Sequence, residues 1–317
     1  MIYIFSKSLQ SHQYVVKNAE HVKINIAELN EFVTNFSIEN SIHWLKDLPF
    51  GMNKFNAEEL INFLLIYHTM GFCYWGEPKW EVNYEHSKYD GAYGLICALT
   101  KEIEKNKLFL DFKYLSALTY EEFGRILSGN IEIPLIKERY NCLIEVSKIV
   151  NQKMNNNFYE YTKHMNNDIE LTNFLIDNFP SFVDVCEYKK KDIYYYKRAQ
   201  LLVSDILHIK HEQLGVNVEY SNLIGCADYK IPQVLRDLQI VEYDTKLSEL
   251  VDNKIPIDKG SIYEIEIRST MLVVIDYIKN KSQNKYNAIN INDCLWIQGQ
   301  DKNNIKRPYH RTRTTAY

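Results

Sequence analysis

Five short segments of this 317-residue chain gather the residue types that do chemistry. In Tyr194–Gln200 (YYYKRAQ), Lys197 and Arg198 stand just inside the start of an apolar helical stretch. Two cations at a helix N-terminus oppose the helix dipole, and the free N–H groups there favour an anion such as a phosphate. The plainer alternative is ion pairing with Asp184, Asp192 or Glu187. In Cys226–Arg236 (CADYKIPQVLR), Asp228 precedes a helix begun near Pro232. It either caps that helix or accepts hydrogen bonds from the ring N–H and amine groups of a bound base. Asn287–Trp296 (NAININDCLW) carries Asp293 beside Leu295 and Trp296, and Pro308–Arg313 (PYHRTR) brings His310, Arg311 and Arg313 together. The second of these reads equally well as an unstructured basic tail. Phe72–Trp75 (FCYW), with Trp80 nearby, offers rings that either stack a flat heterocycle or fill the core.

Common enzyme signatures are missing. There is no P-loop, no GxGxxG after a strand, no GxSxG and no HExxH. The cysteines at 73, 97, 142, 186, 226 and 294 form no CxxC pair and no zinc-ligand spacing. They suit reduced, mostly buried thiols in a reducing compartment, with no metal centre. A formal net charge of −4 argues against a general polyanion binder. The sequence begins with no signal-peptide pattern and holds no apolar run near the roughly 20 residues that span a bilayer. These features predict a cytoplasmic protein with neither a nucleic-acid nor a membrane partner.

The elements that must position these residues read mainly as helices. Apolar periodicity and capping signals predict helices over Ala57–Met70, Asp90–Asn106, Tyr120–Leu127, Ile136–Gln152, Tyr194–Lys210, Pro232–Leu238 and Ser261–Lys279. Thr119 is a candidate cap, and Pro232 suits a first helical position. Glu264 and Arg268 are spaced i,i+4. Trp80–Tyr84 and Tyr188–Tyr195 read as small hairpins, and Asn155–Asn157 and Asn303–Asn304 as surface loops. The expected fold is one mainly α domain over residues 1–317, with 1–45 a peripheral N-terminal segment.

Taken in order, FCYW, DGAYGL (Asp90 to Leu95), FPSFVDV, YYKRAQLLVSD, ADYKIPQVLR, EIEIRS and PYHRTR resemble the queuosine salvage family, over about Leu48 to Tyr317. YKRAQ and ADYxxPQVL are its specific parts. The resemblance implies a mostly helical fold similar to the helix-hairpin-helix DNA glycosylases. It also implies hydrolysis of the N-glycosidic bond of queuosine 5′-monophosphate without a metal or organic cofactor. The products would be queuine, a modified 7-deazaguanine, and ribose 5-phosphate. Cleavage builds positive charge on the sugar, which a carboxylate stabilises or attacks. A 7-deazapurine lacks N7, so protonation there cannot help the base depart. Asp228 matches the family aspartate expected to contact the base, beside Ala227 and Tyr229. Cys226 stands where the family has phenylalanine, a stacking surface that Trp75 or Tyr229 would have to replace. Lys197 and Arg198 match the family's Lys–Arg pair. Asp90, Tyr93, His310 and Arg311 fall within the shared segments and join the expected substrate contacts.

Near the end of the chain the family has its catalytic aspartate three residues before Leu-Trp. Ungapped, that position is Asn292, with Asp293 beside it. Three readings stay open. A local shift makes Asp293 the functional carboxylate; Asn292 leaves a slow or inactive nucleotide-binding protein; or Asp228 supplies the charge. A DNA-repair-type glycosylase is a further alternative, against which the net charge and the lack of a Gly-rich hairpin count.

Overall fold

The computed structural model describes residues 3–38, 43–48, 54–301 and 305–317. The fold is mainly α, as the periodicity predicts, with small antiparallel hairpins in place of a central sheet. The helices are α1 (Tyr3–Lys17), α2 (Ile26–Asn35), α3 (Ala57–Met70), α4 (Gly91–Lys105), α5 (Phe112–Ser116), α6 (Tyr120–Ile126) and α7 (Ile136–Lys153). They continue with α8 (Phe158–Thr162), α9 (Asp168–Asn178), α10 (Lys197–Leu214), α11 (Lys230–Asp237), α12 (Thr245–Asp252), α13 (Ile262–Lys281) and α14 (Ala288–Gln298). Strands β2 (Glu81–Tyr84) and β3 (Ser87–Asp90) form one hairpin, and β4 (Val185–Tyr188) and β5 (Lys191–Tyr194) another. Strand β1 (Val22–Ile24) pairs with β6 (Val241–Tyr243), far along the chain. None of the described helices is long and apolar enough to cross a membrane.

Three helices form the interior. In α3 every residue from Leu60 to Met70 is buried, and α10 and α13 are buried over most of their length. A helix that is apolar nearly all round must be surrounded by other elements. Accordingly α10 packs on α3 and α9, and α13 on α1, α11 and α14. Asn56 begins α3 through a capping box with Glu59, Thr119 begins α6 with Glu122, and Asn287 begins α14 with Asn290.

Some boundaries differ from the sequence expectation. Tyr194 belongs to β5, so α10 starts only at Lys197, after Tyr196 takes a left-handed backbone (φ 51°). Pro232 is the third residue of α11, still within the first turn, where its missing N–H has no helical partner to lose. Asn155 and Asn156, both at positive φ, turn the chain between α7 and α8, whereas Asn303–Asn304 lie outside the described residues. Helix α1 packs along α13, where His12 Nδ1 lies 3.1 Å from Ser269 Oγ.

The end of α3 is secured by two buried guanidiniums. Arg198 donates to the carbonyls of His68 (3.0 Å), Thr69 (2.7 Å) and Ser181. Arg139 donates to those of Pro134, Met70, Phe72 and Cys73. Helix-end carbonyls lack intrahelical partners, and cations there complement the dipole.

Candidate active site

A cavity opens where the C-terminal end of α3, the start of α4, the start of α10, the loop before α11, and α14 converge. Aromatic rings wall it: Trp296 packs edge-on against Trp44 and Tyr93, Tyr229 lies beside Tyr309 and Tyr317, and Tyr67 and Tyr74 add to the lining. Its polar lining includes Lys197, Asp228, Asn292, Asp293 and His68.

Asp293 sits on α14 and is 3% exposed. Its Oδ2 accepts the main-chain N–H of Trp44 at 3.2 Å, and its Oδ1 accepts Nδ2 of Asn292 at 3.2 Å. Burial, with a smaller contribution from the nearby Asp205 carboxylate, raises its pKa to about 7. Asn292 uses the other end of its amide as well, accepting the N–H of Cys226 at 2.9 Å. One amide therefore acts as donor to the carboxylate and acceptor for the loop before α11. An aspartate at 292 would lose that donor and set a like charge beside Asp293.

The loop that carries Asp228 reaches the cavity through Gly225. This residue adopts φ 112°, and an added Cβ would lie 3.0 Å from Ile275 Cδ1. Only glycine takes that backbone without strain. Farther on, Asp228 Oδ1 accepts the N–H groups of Lys230 (2.8 Å) and Ile231 (3.2 Å). The residue thus satisfies N–H groups of the first turn of α11, the plainer of the two sequence readings, and also lines the cavity. Burial raises its pKa, opposed by the Lys197 ammonium and by the two N–H donors.

The Lys–Arg pair divides. Lys197 lines the cavity, and its Nζ makes no hydrogen bond to a described residue. Burial lowers its pKa, countered by Asp228. Arg198 turns away to the carbonyls at the end of α3, because successive helical residues point about 100° apart. The helix start is itself occupied. Asp184 brings Oδ2 to 3.5 Å from Lys197 N, and Arg268 anchors the same carboxylate at 2.6 Å. The anion that the sequence calls for at this helix start is a side chain of the protein.

Other expected contacts separate in the same way. Cys226, Tyr229, Asp90 and Tyr93 line the cavity, with Asp90 bonded to Lys79 at 2.8 Å and Tyr93 edge-on to Trp296. Ala227, Trp75, His310 and Arg311 do not line it. Ala227 offers its carbonyl to Arg268, and Trp75 donates to Thr312 O. His310 meets the Tyr317 hydroxyl at 3.2 Å, and Arg311 pairs with Glu77. Thus Tyr229 remains to offset the small Cys226, while Trp75 does not.

The final segment is no loose tail. His310, Thr312, Thr314 and Tyr317 are buried, Arg311 O accepts from Ile257 N at 2.7 Å, and Tyr317 O accepts from Cys73 N at 2.7 Å. Trp44, His68 and Tyr317 were not singled out by sequence, since each looks like ordinary core until its neighbours are known. All six cysteines are unpaired, three of them buried. Among the described residues no three His, Cys, Asp or Glu side chains converge as metal ligands.

The family model described as queuosine salvage protein matches residues 52–317, which include every cavity-lining residue except Trp44. The chain belongs to the queuosine salvage family. It is 32% identical over 279 residues to the queuosine 5′-phosphate N-glycosylase/hydrolase of Sphaerobacter thermophilus, covering 86% of this chain and 85% of that protein. Identity to the protein of the same name from Dictyostelium discoideum is 28% over 316 residues, covering 94% and 95%. For that from Bos taurus it is 27% over 282 residues, covering 82% of each.

Proposed function

We propose that this chain is a queuosine 5′-monophosphate N-glycosidase, a hydrolase that releases queuine and ribose 5-phosphate. The observation that carries this reading is Asp293, a buried carboxylate at the cavity wall whose pKa lies near 7. A base works best when its pKa is close to the working pH. In its ionised form Asp293 faces the positive charge that develops on the ribose as the C1′–N bond breaks. The bond's electron pair leaves with the base. Water adds to C1′ and gives its proton to Asp293, which returns it to the departing base. Asn292 and the Trp44 N–H hold the carboxylate in place.

The aromatic walls suit a flat heterocycle, with Tyr229 and Trp296 supplying ring faces. Asp228, its second oxygen free of the helix cap, reads the donor edge of the base. Lys197 holds the 5′-phosphate, whose remote binding helps hold C1′ at the carboxylate. On this reading residues 1–317 work as one domain in the cytoplasm, and the substrate is a free nucleotide.

Purified protein incubated with queuosine 5′-monophosphate should release free base detectable by mass spectrometry; no release sinks the reading. Asp293→Ala should lower kcat by about 1,000-fold or more, in the range for loss of a key electrostatic and proton-accepting group. Asn292→Ala should be milder. The reverse order would move the catalytic role to position 292.

A further inference from the structure

Behind the cavity wall lies a carboxylate that the mechanism above does not use. Asp205, on α10, is fully buried and does not line the cavity, yet it is tied to two residues that do. Trp44 Nε1 donates to its Oδ1 at 2.8 Å, and His68 Nε2 lies 2.6 Å from its Oδ2. His43 Nε2 stands 3.5 Å from Oδ1 and stacks on His208. Trp44 then spends its main-chain N–H on Asp293. One tryptophan therefore bridges two buried carboxylates with two different N–H groups. Satisfying Asp205 alone would need only the indole and the imidazole; it gives no reason for the same residue to hold Asp293.

We propose that Asp205 is a positioning residue for glycosidic cleavage: by holding the Trp44 indole it keeps the Trp44 main-chain N–H on Asp293, and by holding His68 it fixes that ring at the cavity wall. The inference rests on Asp293 being the catalytic carboxylate. Burial pushes the Asp205 carboxyl well above its ordinary value, so what Asp293 takes from it is the hydrogen bonding that runs through Trp44. Asp205 itself faces His68, His43, Trp44 and Lys197. Burial, Lys197 and Arg198 keep His68 neutral, a tautomer that donates through Nε2 and leaves Nδ1 as an acceptor.

The test is kcat and KM for queuosine 5′-monophosphate in three variants. Asp205→Asn should lower kcat on the order of 100-fold, the scale of a misplaced reacting group, with KM changed less than about threefold. Asp205→Glu, which keeps a carboxyl for the Trp44 indole and for His68, should recover about tenfold of that loss. Trp44→Phe keeps the ring but removes the indole bond, and should lower kcat about tenfold. An Asp205→Asn kcat within about threefold of wild type, a KM that moves as far as kcat, or a Trp44→Phe kcat within about twofold of wild type overturns the proposal. If Asp205→Asn does not fold, the other two variants decide. Failure of the wild-type protein to release base would sink the reading of the cavity itself, a separate outcome from an active enzyme whose variants keep the wild-type kcat.

Discussion

Asp293 couples activity and stability in opposite directions. Its pKa is raised from 3.8 to about 7 by burial, so its protonated form favours the folded state. That contribution is fully present below about pH 4 and is lost as pH rises through about 7. The span between the two values corresponds to about 4 kcal/mol as an upper bound. The proposed mechanism uses the other form, so kcat/KM should rise with pH through about 7, while thermal stability from this group falls. In Asp293→Asn the melting temperature relative to wild type should climb between pH 5 and pH 8; a constant difference would show that the fold does not raise the pKa of Asp293. The neighbouring cations allow a second residue-level prediction. Lys197→Met should raise KM for the 5′-phosphorylated substrate by tenfold or more while affecting the unphosphorylated nucleoside little. Arg198→Met should instead lower the melting temperature, since it strips donors from several buried carbonyls. Sequence alone paired these two residues because both precede an apolar stripe. The rotation between adjacent helical positions, together with Asp184 already seated at the helix start, gives them different work.

At the scale of elements, the cavity exists because a loop, the ends of α3, α4 and α10, and a face of α14 arrive at one place. Gly225 takes the loop before α11 through a backbone turn at φ 112° against Ile275. Gly225→Ala should cost about 1–3 kcal/mol and lower activity, as the strained loop carries Cys226 and Asp228 out of register. Denaturant unfolding followed by turnover measurements checks both. Much at this scale was legible in the sequence. Helix α3 spans the predicted Ala57–Met70, and α4, α6, α7 and α13 lie within about two residues of their predicted ends. What could not be read was the pairing of β1 with β6, whose partners lie more than 200 residues apart and carry no local signal. The same holds for the site: Asp228, Asp293, Lys197 and Asp205 belonged to recognisable segments, whereas the meeting of Asp205 with Trp44 exists only in space.

For the molecule as a whole, the segment from Pro308 to Tyr317 completes part of the cavity wall through Tyr309 and Tyr317. It has no regular secondary structure, yet its backbone is bonded to Cys73 and Ile257 and its rings reach the lining. Hydrogen exchange should find the amides of Cys73 and Ile257 protected to nearly the same extent as those of α10. Rapid exchange at both, with α10 still protected, would show that the segment detaches. Arg268 ties the same region to the interior, lying 3.8 Å from the Tyr195 ring centroid and 4.4 Å from that of Tyr317.

That arrangement has a kinetic side. The lining draws on residues from Trp44 to Tyr317, and contacts between distant parts of a chain form late because loop closure must precede them. A chain emerging from the ribosome can build α3 and α7 early, but no nascent fragment that lacks α14 owns Asp293. On the proposed mechanism the centre built round Asp293 is therefore among the late features to assemble, and the growing chain gains glycosidase activity only after α14 has been made.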